Sequence, residues 1–148
     1  MENKFIRVRS VKDIVILASL IIAGSVLVAM PTSIPVNITG FFMIFTGIIL
    51  LLVMKTGYKD VETGEKYQKK ELYFQQAVRA QLMSAISEKP NYIDLYEEDK
   101  GNALKLDFYY SKSAGKAYLQ LFEYIPHTYE PCSKVYEYGL KDVDKLLA

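Results

Sequence analysis

The sequence predicts a membrane protein with a two-helix transmembrane hairpin, followed by a small α+β cytoplasmic domain built as helix, three or four antiparallel strands and short helix. Three observations predict it. From Ile14 to Met54 there is no Asp, Glu, Lys, Arg or His in 41 residues. All twelve tyrosines lie after that run, so the chain changes character at its end. Beyond Pro90 the apolar spacing changes from the helical period to a period of two, the mark of strands with one buried face.

The hairpin comes first. Residues 14–30 and 36–54 supply 17 and 19 uncharged positions, close to the ~20 that cross ~30 Å of hydrocarbon as helix. Ten of the first segment and twelve of the second are Ile, Leu, Val or Phe. At about −0.3 to −0.6 kcal/mol each, these favour insertion before polar terms are counted. Between the segments, residues 31–35 carry Pro31 and Pro35, which stop one helix and let the next begin. Ser19 with Ala23, and Ser25 with Ala29, are small residues four apart that allow close helix approach; such residues are also simply common in membrane helices. A cleaved signal peptide over residues 1–30 is disfavoured because no small-x-small site precedes Pro31.

Charge sets the orientation. Lys4, Arg7, Arg9 and Lys12 precede the hairpin and Lys55, Lys59, Lys66, Lys69 and Lys70 follow it, whereas the turn has none. The positive-inside rule therefore places both termini in the cytoplasm. The minimal external turn suits a multi-pass protein of a bacterial inner (plasma) membrane. Residues 71–148 sum to −3, which argues against nucleic acid as a partner.

Residues 1–13 form a basic cytoplasmic N-terminus, and residues 55–68 read as either a linker or a small hairpin about Thr63-Gly64. In the domain, residues 69–148, Phe74, Val78, Leu82 and Ala85 or Ile86 predict an amphipathic helix from Glu71 to Glu88, ending before Pro90. Strands are predicted at Tyr92–Tyr96, Ala103–Tyr110 and Ala117–Ile125, with a possible fourth at Val135–Tyr138. Leu140, Val143 and Leu146 or Leu147 suit a short closing helix. Leu104, Leu106, Phe108, Leu119 and Leu121 join Phe74, Val78 and Leu82 as the expected core.

The sequence presents no catalytic, cofactor-binding or metal-binding constellation. Ser111 to Lys116 resembles the end of a phosphate-binding loop, but Tyr110 stands where a glycine is needed and Ala117 where a hydroxyl is needed, so a hairpin turn is the better reading. His127 and Cys132, each the only one of its kind, fall in a segment that reads as an irregular loop. Glu97, Glu98 and Asp99 read as a solvated turn. The compositional oddity is aromatic. Tyr109, Tyr118, Phe122, Tyr124, Tyr136 and Tyr138 alternate along strands and form a candidate protein-binding face; the plainer reading is that tyrosine suits a half-buried sheet. The expected partners are the lipid bilayer and a protein or a second copy of this chain. A membrane-anchored protein-interaction module is the leading reading. The alternatives are a hydrolase or transferase with its site near His127, and a structural subunit whose hairpin packs in a membrane complex.

Overall fold

The computed structural model describes Met1, residues 3–31 and residues 33–147; Thr32 of the expected turn and Ala148 lie outside the described residues. The chain divides into two units, Arg7–Tyr58 and Met1–Ile6 with Lys59–Ala148.

The first unit holds two helices, α1 (Val11–Ala29) and α2 (Ile34–Val53). The start of α1 is fixed by a reciprocal cap: Asp13 N–H donates to Ser10 Oγ at 3.2 Å and Ser10 N–H donates to Asp13 Oδ2 at 2.8 Å, which satisfies two donors that the first turn leaves open. Pro31 follows the end of α1, and Pro35 sits in the first turn of α2, where its missing N–H costs nothing.

What joins α1 to α2 is glycine. Leu17 and Gly24 in α1, and Gly40 and Gly47 in α2, are the buried positions of the apolar runs, and each pair is seven apart, two turns along one side of a helix. A Cβ on Gly24 would lie 2.8 Å from the Gly40 carbonyl oxygen, and one on Gly40 would lie 2.7 Å from the Gly24 carbonyl oxygen. The backbones therefore meet bare, an approach that small residues permit. Ser19, Ala23, Ser25 and Ala29 instead face outward, and Ser25 Oγ donates to the Ile21 carbonyl at 2.7 Å within its own helix. The large side chains also turn outward: Ile22, Val26, Phe41, Phe42, Phe45 and Leu52 are exposed. Only 17% and 11% of the most apolar windows of the two helices is buried. Both helices are long and apolar enough to cross a membrane.

The second unit is an antiparallel sheet with helices on one side. Its strands are β1 (Phe5–Val8) and β2 (Gly57–Asp60), each shared with the first unit, then β3 (Lys66–Phe74), β4 (Leu104–Ser111), β5 (Lys116–Ile125), β6 (Thr128–Pro131) and β7 (Tyr136–Gly139). Their order is β1-β2-β3-β4-β5-β6, with β7 also on β5. β6 pairs with the second half of β5 and β7 with the first half. The break between them is a bulge opposite Leu121, where Cys132 N–H donates to the Leu121 carbonyl at 2.9 Å and the Ser133 hydroxyl accepts the Leu121 N–H at 2.9 Å.

One sheet face carries the core. Leu72, Phe74, Leu104, Leu106, Phe108, Ala117, Leu119 and Leu121 pack with Leu82 and Ile86 of α3 (Arg79–Glu88), with Ile93, and with Val143 and Leu146 of the closing segment, a 3-10 turn over Leu140–Val143 continued by α4 (Asp144–Leu147). Asn91 fastens that segment, donating to the Lys141 carbonyl and accepting the Lys145 N–H, both at 3.1 Å. Of the core residues expected from sequence, all are buried except Val78, which is half-buried against the cluster.

Three expectations are corrected. Glu71–Phe74 is the end of β3, so the helix begins at Arg79 after a 3-10 turn over Gln76–Val78; the four-residue spacing of Phe74 and Val78 imitates a helix, yet Leu72 and Phe74 are two apart and share the core face of a strand. Tyr92–Tyr96 is no strand but lies in two 3-10 turns, Pro90–Tyr92 and Leu95–Glu97, because Pro90 opens the first and the Asp94 carboxylate accepts the Tyr96 N–H at 2.9 Å in the second. The segment after Pro126 is ordered as β6. Pro126 and His127 form its two-residue turn, with His127 at a φ of 73°, the positive φ that a type II turn needs after proline.

Candidate protein-binding face

The other face of the sheet is where the expected aromatic surface lies, and strand parity decides which residues belong to it. Tyr109 and Tyr118 are opposed across β4 and β5, and Phe122 and Tyr124 continue the same face along β5. Tyr124 is opposed by Tyr129 and Phe122 by Pro131. Tyr136 and Tyr138 are opposed by Leu119 and Ala117, and so point to the core face instead. There Tyr138 Oη donates to the Ile86 carbonyl at 2.5 Å and burial pushes its hydroxyl pKa up. The structure thus brings four of the six candidates together and sets two apart.

The chain's own N-terminal residues cover much of this aromatic face. The Phe5 ring stacks on Tyr109 with centroids 4.4 Å apart and meets Tyr67 and Tyr118 at 5.0 and 5.6 Å. Lys4 Nζ lies 4.1 Å from the centre of the Tyr118 ring and 3.9 Å from the carboxylate of Asp60. In consequence Tyr109 and Tyr118 are 6% and 5% exposed, while Phe122, beneath Lys105 Nζ, is 8% exposed and Tyr124 is 50% exposed. Burial is also the leading reason that the Tyr67 hydroxyl is pushed up to about 12.

Next to this aromatic box runs a charged ladder. Asp107 on β4 is buried and is flanked by Lys69 Nζ at 2.9 Å and Lys105 Nζ at 3.3 Å. Lys105 Nζ also lies 4.8 Å from the Phe122 ring centre and 5.2 Å from that of Tyr129. Burial opposes the charge on Lys69, but hydrogen bonds to Glu71 and Asp107 outweigh it and hold the ammonium pKa above its ordinary value. Tyr73 Oη donates to Glu71 at 2.9 Å; burial first, then that carboxylate, pushes the Tyr73 hydroxyl up to about 12. The cations are each neutralised within the face.

Between the N-terminal residues and the β6–β7 edge an open groove of about 580 Å³ remains, floored by Tyr118, Gln120 and Phe122 and walled by Lys4, Tyr129 and Glu137. Tyr118 and Phe122 make the floor aromatic, and Lys4, Gln120 and Glu137 supply polar groups.

The other candidates are dispersed. His127 is exposed at the tip of the β5–β6 turn and lines none of the described cavities. Cys132 sits in the bulge, packed against the core, and burial raises its thiol pKa. Glu97 is held by Gln75 and Lys100, and a hydrogen bond from Lys100 is the main reason its carboxyl lies below the usual range. No group of three or more His, Cys, Asp or Glu among the described residues is placed to hold a metal ion.

Two features escape a reading by periodicity. The pattern Phe5-Ile6-Arg7-Val8 alternates like a strand but is short and sits in a basic segment. Ser10-Val11-Lys12-Asp13 is a capping box in plain view. Its carboxylate does further work within the hairpin unit, accepting the Thr56 N–H at 2.9 Å and the Thr56 hydroxyl at 2.6 Å, so that the chain entering α1 is tied to the chain leaving α2.

Comparison with protein-family models, curated proteins and solved structures finds no match to this chain.

Proposed function

We propose that the chain is a two-pass integral membrane protein, with both termini on the cytoplasmic side, whose α+β domain is a non-enzymatic module that binds a protein through the part of its aromatic sheet face that the N-terminal residues leave open, around Tyr124. The observation that carries the membrane part is the inversion of the hairpin: glycines meet inside while Phe41, Phe42, Phe45 and Leu52 face out. That arrangement suits lipid, where outward apolar chains cost nothing and association rests on close packing. A core helix of a water-soluble protein does the reverse.

The interaction part rests on the groove floored by Tyr118, Gln120 and Phe122 and on the exposed Tyr124 beside it. Tyrosine offers a large apolar surface with a polar tip, which suits protein contacts. The reading is tested by a photo-crosslinking residue placed at Tyr124 of the full chain in native membranes, with Tyr96, 88% exposed in a 3-10 turn, as the comparison site. A discrete protein adduct from Tyr124 and none from Tyr96 is the expected result. Equal, diffuse labelling from both would overturn the assignment of this face.

A further inference from the structure

We propose that the open end of the hairpin binds anionic phospholipid headgroups through Arg7, Lys12 and Lys55, a partner assignment that rests on the membrane reading above. The hairpin unit, Arg7–Tyr58, contains four basic residues, Arg7, Arg9, Lys12 and Lys55, and one acid, Asp13. All four basic residues are exposed. Outside the unit three of the ten exposed cations meet a carboxylate among the described residues: Arg79, Lys100 and Lys116. Among the described residues none of the four makes an ion pair.

The unit's own carboxylate is withdrawn. Asp13 is fully buried, and its oxygens are taken by Ser10 and by Thr56. The hairpin unit therefore carries a formal net charge of three positive. Two of the four cations have local explanations. Arg9 donates to the Leu51 carbonyl in the last turn of α2, one of the carbonyls a helix end leaves open, and Lys55 follows the C-terminus of α2, where the helix dipole favours a cation. Arg7 and Lys12 have none. Lys12 in particular lies in the first turn of α1, the end at which a helix disfavours positive charge. A cation kept there without an ion-pair partner among the described residues fits a partner outside the chain.

The neighbouring chemistry names that partner. Residues immediately flanking two membrane-length helices sit at headgroup depth, and clustered Lys and Arg at that depth attract acidic lipid. Because the attraction is of charge rather than of a shaped pocket, phosphatidylglycerol serves as the probe and phosphatidylcholine as its neutral counterpart.

The test uses the full chain purified in a neutral detergent and offered equal amounts of the two lipids, with native mass spectrometry reading which lipid stays bound. The parent should retain phosphatidylglycerol preferentially. The triple variant Arg7→Gln, Lys12→Gln, Lys55→Gln, which spares the helix-capping Arg9, should lose that preference, by about five-fold for each cation removed. Arg7→Lys should keep it. Equal retention of the two lipids by the parent, or an unchanged preference in the triple variant, would overturn the proposal. Alkaline carbonate extraction of the parent separates the two failures: a chain that stays in the membrane but shows no lipid preference refutes only this inference, while a chain released into solution refutes the membrane reading beneath it.

Discussion

Gly40→Ala is the sharpest probe of how the hairpin is held. The new Cβ would stand 2.7 Å from the Gly24 carbonyl oxygen and 2.9 Å from Leu27 Cβ. An ordinary contact needs roughly 0.7 Å more, and a radial gap of about that size forfeits a quarter to a half of the dispersion well for the atoms beside it. Because the nearest obstacle is backbone, the helices must separate, at a cost of about 1–3 kcal/mol typical of overpacking. Against this, alanine gains about 0.8–1.0 kcal/mol of helix propensity over glycine. Gly40→Ala should therefore be net destabilising by ~1 kcal/mol. Gly47→Ala has the same propensity gain, and its nearest obstacle is Ile21 Cγ1 at 2.8 Å, the first atom beyond Cβ of a β-branched chain that a helix holds mainly in one rotamer. Its nearest neighbours include no backbone atom, so that variant should be destabilised less than Gly40→Ala. Unfolding of the full chain in mixed micelles with increasing denaturing detergent measures both. A Gly40→Ala midpoint at or above that of Gly47→Ala would refute the bare-backbone contact as the joint of the hairpin.

Ile86→Asp puts a carboxylate at a position that is fully buried and should unfold the domain, whereas the exposed Gln81→Asp should stay within roughly half a kcal/mol of the parent in thermal melting. Phe5→Ala should cost about 3–5 kcal/mol, and a Tyr58–Ala148 fragment, which lacks Phe5, should bind a hydrophobic dye that the full domain excludes. Glu71 is held below its ordinary value of 4.5, since hydrogen bonds from Lys69 and Tyr73 outweigh the desolvation that opposes them. A carboxyl depressed in the folded state adds stability above its unfolded pKa and loses it as pH falls through the folded one. Denaturant midpoints should thus drop below about pH 4.5, and Glu71→Gln should flatten that drop. Ile49→Arg should reduce membrane insertion by ~2.5–3.5 kcal/mol, while Lys59→Arg leaves it unchanged; equal membrane yields would contradict α2 as a spanning helix.

The legible parts of the fold are those in which one physical rule acts alone. The uncharged run and its two prolines mark α1 and α2 because hydropathy and helix breaking need no tertiary context. Alternation at Leu104, Leu106 and Phe108, and at Leu119 and Leu121, marks β4 and β5 for the same reason. Sequence reasoning fails where two periods overlap or where a partner is distant. Phe74 ends a strand yet stands four residues before Val78, so a real helix from Arg79 extends backward on paper into β3. The aromatic face is visible as a composition, but its parity at Tyr136 and Tyr138 depends on a bulge at Cys132–Ser133 that no local pattern announces. Its cover, Phe5, lies more than a hundred residues from Tyr109 and Tyr118 in the chain, so only the folded sheet brings them together. The seam of Gly24 and Gly40 is likewise a tertiary fact, since small residues at Ser19, Ala23, Ser25 and Ala29 offer a rival stripe of equal merit on paper.

Labelling of single cysteines reports the side of the membrane on which each part of the chain lies. In a Cys132→Ser background, Ser33→Cys places a thiol in the exposed turn between α1 and α2, and Lys112→Cys places one in the exposed β4–β5 turn of the domain. With a membrane-impermeant maleimide on intact cells, Ser33→Cys should be labelled and Lys112→Cys should be labelled only after the membrane is permeabilised. Labelling of Lys112→Cys in intact cells would contradict the two-pass topology with a cytoplasmic domain.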